Sequence, residues 1–204
     1  MNRDGTRSAL GRKNICVFAG SRRGSRPEYV AAAQELAAEL VRRGYGLVYG
    51  GGNVGLMGVL ADAVLERGGE VIGVIPEAFM DLEVAHGGLT ELRVVGSMHE
   101  RKAVMAELSE GFIALPGGVG TMEEFFEVLS WAQLALHHKP CGLLNVEGYY
   151  DRVVDFLDRA VEQEFLKPKH RALLIEADRP APLLDAFERV MAVSATRTFD
   201  RART

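Results

Sequence analysis

The sequence lacks the features of a membrane or secreted protein. It has no apolar run of about 18 residues, the length that a membrane-spanning helix needs. Residues 1–13 are polar and basic, and they lack the apolar core of a signal peptide. The 2 cysteines, Cys16 and Cys141, both adjoin apolar runs, so we expect buried thiols and no disulfide. These absences favour a cytoplasmic protein without a membrane contact.

Positive charge is also scarce. The chain has 24 Lys and Arg residues against 28 Asp and Glu, a formal net charge of -4. That balance argues against a general nucleic-acid-binding protein, although a few local cations suffice for a small anion. No set of His, Cys, Asp and Glu residues has the spacing of a metal site, and the Gly-x-Ser-x-Gly turn of α/β hydrolases is absent. We therefore expect no bound metal ion.

What the sequence does contain is a regular alternation of short apolar and amphipathic segments. The predicted strands are 14–20, 46–49, 71–75, 92–95, 112–115, 141–145 and 171–175. The predicted helices are 27–43, 55–67, 98–109, 122–136, 149–164 and 182–193. This order is typical of βαβ units, in which helices cover both faces of a parallel sheet. We predict an α/β fold with one domain at 14–193, a doubly wound parallel sheet, between a flexible arm (1–13) and a loose tail (194–204).

The turn after the fifth predicted strand is rich in glycine. Ligands of such sheets bind outside the carboxyl ends of the strands. The segment Pro116-Gly117-Gly118-Val119-Gly120-Thr121 lies at such an end. Its glycines let the backbone approach a ligand, and the N–H groups of the following helix suit a phosphate. Thr121 and Glu124 also have the spacing of a helix capping box, so a phosphate-binding turn and a helix cap are both open.

A second segment, Ser97 to Lys102, carries two adjacent cations. Ser97 and Glu100 have capping-box spacing, which puts Arg101 and Lys102 near the start of a helix. The helix dipole disfavours cations at a helix N-terminus. Residues that break such a local preference often have a function. The pair would suit a phosphate, with an ordinary solvated pair as the alternative.

Two further turns compete as ligand sites. Gly50-x-Gly52-x-x-Gly55 matches the dinucleotide-binding fingerprint, and Glu77 follows at about the expected distance of 20 residues. The match lies on the second βα unit, whereas the fingerprint normally opens the first, so nicotinamide or flavin binding is the weaker interpretation. The turn at 20–26, with Gly, Ser and Arg, is either a helper in anion binding or a solvated loop.

Together these segments resemble the LOG (Lonely Guy) family of cytokinin riboside 5′-monophosphate phosphoribohydrolases. The resemblance covers about 14–192 and rests on 116–124, which fits the family's PGGxGTxxE, and on 98–102, similar to its Met-His-x-Arg-Lys. It implies a Rossmann-like fold, a homodimer with shared active sites and no cofactor. The implied reaction hydrolyses the N-glycosidic bond of a purine nucleoside 5′-monophosphate to the free base and ribose 5-phosphate.

The resemblance also implies roles for individual residues, with Arg101 and Glu124 as the catalytic ones. The implied substrate contacts are Glu83, Arg101, Lys102, Gly117, Gly118, Val119, Gly120, Thr121, Met122, Glu123, Glu124 and Ser130. Val119 stands where plant members often carry Tyr, and Ala19 where Cys is common. Neither departure removes a charged group, so they bear on substrate preference more than on chemistry.

Physical chemistry agrees with this assignment. Cleavage of an N-glycosidic bond builds positive charge on the ribose, which an ionised carboxylate stabilises. At a helix N-terminus the dipole would keep Glu124 ionised. Three alternatives stay open: an AMP nucleosidase acting mainly on AMP, a non-catalytic nucleotide-binding protein, and a lysine decarboxylase. The last is a label that relatives have carried, and it would need a pyridoxal phosphate Schiff base, for which Lys102 is the tempting residue.

Overall fold

The computed structural model describes the backbone of residues 13–80 and 85–201, and the side chains among them up to Val193. Within these residues the strands are β1 (Asn14–Phe18), β2 (Gly46–Tyr49), β3 (Val71–Pro76), β4 (Glu91–Val95), β5 (Gly111–Ala114), β6 (Cys141–Leu144) and β7 (Leu174–Ala177). The α-helices are α1 (Pro27–Arg42), α2 (Gly55–Leu65), α3 (Met98–Glu107), α4 (Val119–Gln133), α5 (Asp151–Glu162), α6 (Pro168–Arg171) and α7 (Pro180–Arg201). Short 3-10 turns lie at Glu77–Phe79 and Val146–Gly148.

The strands form one sheet in the order β4-β3-β2-β1-β5-β6-β7, and every neighbouring pair is parallel. The chain builds outward from β1 to β4 and then returns past β1 to start β5. The order therefore reverses between β1 and β5, where Ile15 lies opposite Gly111. A crevice at such a reversal is the usual ligand site of this architecture. The predicted doubly wound, Rossmann-like sheet is confirmed.

Two hydrophobic layers enclose the sheet because successive side chains of a strand point to opposite faces. In β1, Ile15 and Val17 pack with α1, α2 and α7. Cys16 and Phe18 pack with α3, α4 and α5 on the other face. Cys16 and Cys141 are free, buried thiols, as expected. Among the described residues, no helix is both long and apolar enough to cross a membrane.

Several element boundaries differ from the sequence prediction, and three of them have a clear local cause. Helix α4 begins at Val119, not at 122, because Gly118 takes the extended N-cap conformation. The last strand is Leu174–Ala177 and not 171–175, since Pro168 starts the short helix α6 just before it. Helix α7 continues to Arg201, because 194–201 contains no Gly or Pro to end it. The backbone of α7 thus enters the segment 194–204 that was predicted as a loose tail, and the looseness of that segment stays a prediction. The N-terminal arm, at residues 1–12, lies outside the described residues.

Candidate active site

The loops that follow β1 and β5 are joined at the reversal point of the sheet. The backbone N–H of Gly20 donates to the carbonyl of Pro116 at 3.1 Å. A Cβ atom at Gly117 would overlap the side chain of Thr121 and lie 2.9 Å from the nitrogen of Gly20. Only glycine allows this approach at 117, so its presence there has a packing reason.

Three successive carbonyl groups of the glycine-rich loop accept hydrogen bonds from other parts of the protein. The hydroxyl of Tyr150 donates to the carbonyl of Leu115 at 2.6 Å, and the hydroxyl of Tyr149 donates to that of Gly117 at 2.6 Å. The carbonyl of Pro116 between them accepts from Gly20. Each of these three carbonyl groups is therefore held by a hydrogen-bond donor from elsewhere in the chain.

The N–H groups of the same loop remain available. Within the part of the chain that the structure describes, the N–H groups at 117–121 donate to no protein acceptor, and α4 has no side-chain cap. Successive unbonded amides at the positive end of a helix form a concave anion site. We call residues 117–121 the amide cradle.

The predicted capping box at Thr121 and Glu124 is wrong. The N-cap is Gly118, and Thr121 is the third helical residue, with its side chain packed beneath Gly117. Glu124 consequently lies in the second turn of α4. The helix dipole acts mainly within the first turn, so it does not account for an ionised Glu124.

The cap predicted at the start of α3 is confirmed. The hydroxyl of Ser97 accepts from the N–H of Glu100 at 3.1 Å, and the carboxylate of Glu100 accepts from the N–H of Gly96 at 2.8 Å. Helix α3 therefore begins at Met98 and carries Arg101 in its first turn.

Arg101 is directed inward, towards the sheet. The residue is 4% exposed, and its Nη2 donates to the carbonyl of Gly50, at the end of β2, at 3.0 Å. Its Nη1 lies 3.6 Å from the sulfur of Met98. A Cβ atom at Gly50 would overlap the end of the guanidinium group, so a larger residue there would require Arg101 to move.

The charges of both predicted catalytic residues influence the buried Cys16 thiol in the middle of the sheet. Burial raises the pKa of this thiol well above its usual range, the charge of Glu124 raises it further, and that of Arg101 lowers it. The side chain of Glu124 is half-buried, on the turn of α4 that follows the amide cradle.

Lys102 faces α4 instead of an open anion site. Its Nζ lies 2.6 Å from Oε1 of Glu123 and 3.0 Å from Oε2 of Glu127. Burial alone would lower the pKa of Lys102, but the hydrogen bonds with these carboxylates outweigh it and raise the pKa above its ordinary value. Arg101 and Lys102 therefore do not act as one cation pair. Lys102 is neutralised by Glu123 and Glu127, which the sequence prediction did not connect with it.

An open cleft of about 630 Å³ adjoins the cradle. Its lining residues are Gly117, Gly118, Val119, Met122, Glu123, Phe126, Tyr149, Tyr150 and Val153. Most of this wall is apolar or aromatic, as is usual for a small-molecule pocket. The sequence prediction missed Tyr149 and Tyr150 as cleft residues. The signal that could have indicated them is their position shortly after a strand, β6.

Two implied substrate contacts lie away from the cradle or outside the described residues. Ser130 is exposed on the outward face of α4, about 9 Å along the helix from Glu124 at 1.5 Å per residue. Glu83 belongs to 81–84, which the structure does not describe.

The competing glycine motif after β2 does not form an open phosphate site. In the first turn of α2, the N–H group of Leu56 donates to the carbonyl of Gly20 at 3.0 Å. The start of α2 is therefore covered by the loop after β1. Glu77 lies exposed in a separate 3-10 turn. The dinucleotide interpretation is not supported.

One parallel sheet, with its reversal between β1 and β5 and a glycine-rich turn at that point, places the protein in the doubly wound α/β class. A family model described as "Possible lysine decarboxylase" matches residues 57–187. A probable cytokinin riboside 5′-monophosphate phosphoribohydrolase of Oryza sativa subsp. japonica is 51% identical over 176 residues, which are 86% of this chain and 83% of the relative. A cytokinin riboside 5′-monophosphate phosphoribohydrolase of Arabidopsis thaliana is 51% identical over 86% of this chain and 77% of its own length. The chain belongs to this LOG family.

Solved structures share the fold at lower sequence identity. The molybdenum cofactor carrier protein of Chlamydomonas reinhardtii superposes with a TM-score of 0.65 at 23% identity, covering 89% of this chain and 99% of that one. The molybdenum cofactor binding protein of Rippkaea orientalis gives 0.64 at 22% identity, covering 88% and 98%. At this identity the likeness concerns the fold alone.

Proposed function

We propose that the protein hydrolyses the N-glycosidic bond of cytokinin riboside 5′-monophosphates, N6-substituted forms of AMP, to the free base and ribose 5-phosphate. The observation that carries the proposal is the amide cradle: among the described residues its N–H groups meet no protein acceptor, while Tyr149 and Tyr150 bind carbonyl groups of the same loop. The family relationship supports the same reaction, since relatives about half identical are named for it.

The geometry suggests a division of roles. The 5′-phosphate binds the N–H groups at 117–121, which anchors the far end of the ribose. Such anchoring directs binding energy to the position of the anomeric carbon. The carboxylate of Glu124 then stabilises the positive charge that develops on the ribose as the bond to the base breaks. Arg101, held against Gly50, supplies a fixed positive charge in the same region.

The test is release of base from isopentenyladenosine monophosphate and from AMP. Glu124→Gln keeps the size of the side chain and removes its charge, and we expect kcat to fall by about 10²–10⁴. Glu107→Gln, exposed in the last turn of α3, is the matched control and should keep full activity. No release by the wild type, or full activity of Glu124→Gln, would reject the proposal.

The main competing function is an AMP nucleosidase with AMP as its principal substrate. The apolar cleft, with Met122, Phe126 and Val153 in its wall, favours a base that carries an apolar N6 substituent. We expect kcat/KM for the prenylated nucleotide to exceed that for AMP by at least about tenfold, the scale on which apolar pockets discriminate. An equal or reversed ratio would favour the nucleosidase. Tight binding without turnover would favour a non-catalytic nucleotide-binding protein.

Lysine decarboxylation fits the site poorly. A Schiff base requires a neutral amine, whereas the two carboxylates bound to Lys102 favour its charged form and raise its pKa. An absorbance scan of the purified protein for pyridoxal phosphate provides a direct check.

We also infer that the protein is a cytoplasmic homodimer with shared active sites. Val119, Met122, Phe126 and Leu129 follow one another along α4 at the spacing of a coiled-coil seam, and Val119 and Phe126 are exposed. A second copy of α4 laid along this stripe would also border the cleft that Val119, Met122 and Phe126 line, so the two copies would share one site. Ser130 lies on the outward side of the same helix, so it would reach the partner's nucleotide. The two free, buried thiols fit a reducing compartment.

A further inference from the structure

Two consecutive tyrosines hold the loop that forms the amide cradle. Tyr150 is 1% exposed, and its hydroxyl binds the carbonyl of Leu115 beneath the cradle. Tyr149 is 42% exposed, and its hydroxyl binds the carbonyl of Gly117 at the edge of the cradle. The two hydroxyls thus grip alternate peptide groups of one short loop.

The turn that delivers these tyrosines is itself tightly constrained. The side-chain oxygen of Asn145 accepts from the N–H of Tyr150 at 2.7 Å, and its amide nitrogen donates to Asp151 at 2.8 Å. Glu147 has a φ of 52°, a left-handed conformation that is uncommon outside glycine. Strained backbone of this kind persists where surrounding contacts fix it, and it often lies at functional sites.

The bond from Tyr149 determines which way one peptide group faces. In a trans peptide the C=O and the next N–H point in opposite directions. With the oxygen of Gly117 fixed on the tyrosine hydroxyl, the N–H of Gly118 points away from Tyr149. Among the described residues no other donor binds the Gly117 carbonyl, so loss of that bond allows its peptide group to turn the oxygen towards a bound anion, which it would repel.

We propose that Tyr149 is a positioning residue for the substrate's phosphate: its hydroxyl holds the Gly117 carbonyl away from the anion and fixes the N–H of Gly118 towards it. This inference rests on the proposed function, in which the cradle binds the 5′-phosphate. Tyr149→Phe removes only the hydroxyl and keeps the ring that lines the cleft. Tyr29 packs edge-on against Tyr149 with ring centroids 5.7 Å apart, so Tyr29→Phe is a matched control in the same aromatic cluster.

The experiment is calorimetric titration of the wild type and both variants with ribose 5-phosphate and with adenine. We expect Tyr149→Phe to weaken the affinity for ribose 5-phosphate by roughly fivefold to tenfold, the effect of one hydrogen bond. Affinity for adenine should be unchanged, and Tyr29→Phe should bind ribose 5-phosphate like the wild type. In turnover of AMP, KM should rise by the same factor while kcat changes by less than about twofold.

The outcomes separate this inference from the proposed function. Unchanged affinity of Tyr149→Phe for ribose 5-phosphate would overturn it, and so would an equal loss of affinity for adenine, which indicates general distortion. A wild type that does not bind ribose 5-phosphate would overturn it too, because the cradle would then hold no phosphate. A wild type that binds ribose 5-phosphate but releases no base would reject only the proposed hydrolysis.

Discussion

Replacing Gly117 by alanine tests the close packing on which the amide cradle depends. The added Cβ would overlap the side chain of Thr121 and would lie 2.9 Å from the backbone nitrogen of Gly20. The backbone of Gly20 cannot rotate away as a flexible side chain can. Inserting a group into a packed site of this kind costs about 1–3 kcal/mol. At about 2–4 °C per kcal/mol for a chain of this size, we expect Tm to fall by about 2–12 °C.

Gly120→Ala is the matched control, since a Cβ atom there meets no atom within 4 Å. Alanine is favoured over glycine in a helix by about 0.5–1 kcal/mol, so this variant should keep or slightly raise Tm. Thermal unfolding followed by circular dichroism, at one protein concentration, measures both effects. A Gly117→Ala protein that melts within about 1 °C of the wild type would refute the packing argument.

Two further predictions concern stability and assembly. The guanidinium of Arg43 binds Glu39 and two carboxylates of α7. Because these partners are partly exposed, Arg43→Met should reduce the free energy of unfolding by only about 1–2 kcal/mol, measured by urea denaturation. Hydrogen bonds from Arg42, and also from Arg43, lower the pKa of Glu39, although burial opposes them. The stabilisation from this lowered pKa is present above the unfolded pKa, near 4.5, and is lost as the pH falls through the lower folded pKa. The destabilising effect of Arg43→Met should therefore become smaller in acid. Phe126→Arg, on the exposed stripe of α4, should give a monomer in light scattering, whereas Phe165→Arg, 90% exposed elsewhere, should not; a dimeric Phe126→Arg protein would contradict the proposed interface.

Local sequence patterns were sufficient for the sheet but not for the start of α4. The buried strands are short apolar runs, and their alternation with helices restricts the topology strongly. The capping-box spacing of Thr121 and Glu124 suggested a later start for α4. The actual N-cap is Gly118, whose neighbouring carbonyl groups are bound by Tyr149 and by the loop after β1. Those contacts come from distant parts of the chain, so no local pattern reveals them.

The contribution of Tyr149 was hidden for the same reason. It lies 32 residues from Gly117 in sequence, and only folding of β6 and the following turn brings the two together. The catalytic candidates Arg101 and Glu124 were predicted because they belong to short, recognisable motifs. The helices that carry them, α3 and α4, both follow strands of one parallel sheet and so begin at the same edge of that sheet.

The division between Arg101 and Lys102 has a simple geometric cause. The side chains of adjacent residues leave an α-helix about 100° apart, so Arg101 and Lys102 leave α3 in different directions. Arg101 points to the sheet and Gly50, while Lys102 points to α4 and its carboxylates. Because Glu123 and Glu127 already neutralise Lys102, its ammonium adds no net positive charge for a phosphate. In the proposed function, attraction for the phosphate therefore comes from the amide cradle, the helix dipole and Arg101, so the orientation of each loop peptide would matter for binding.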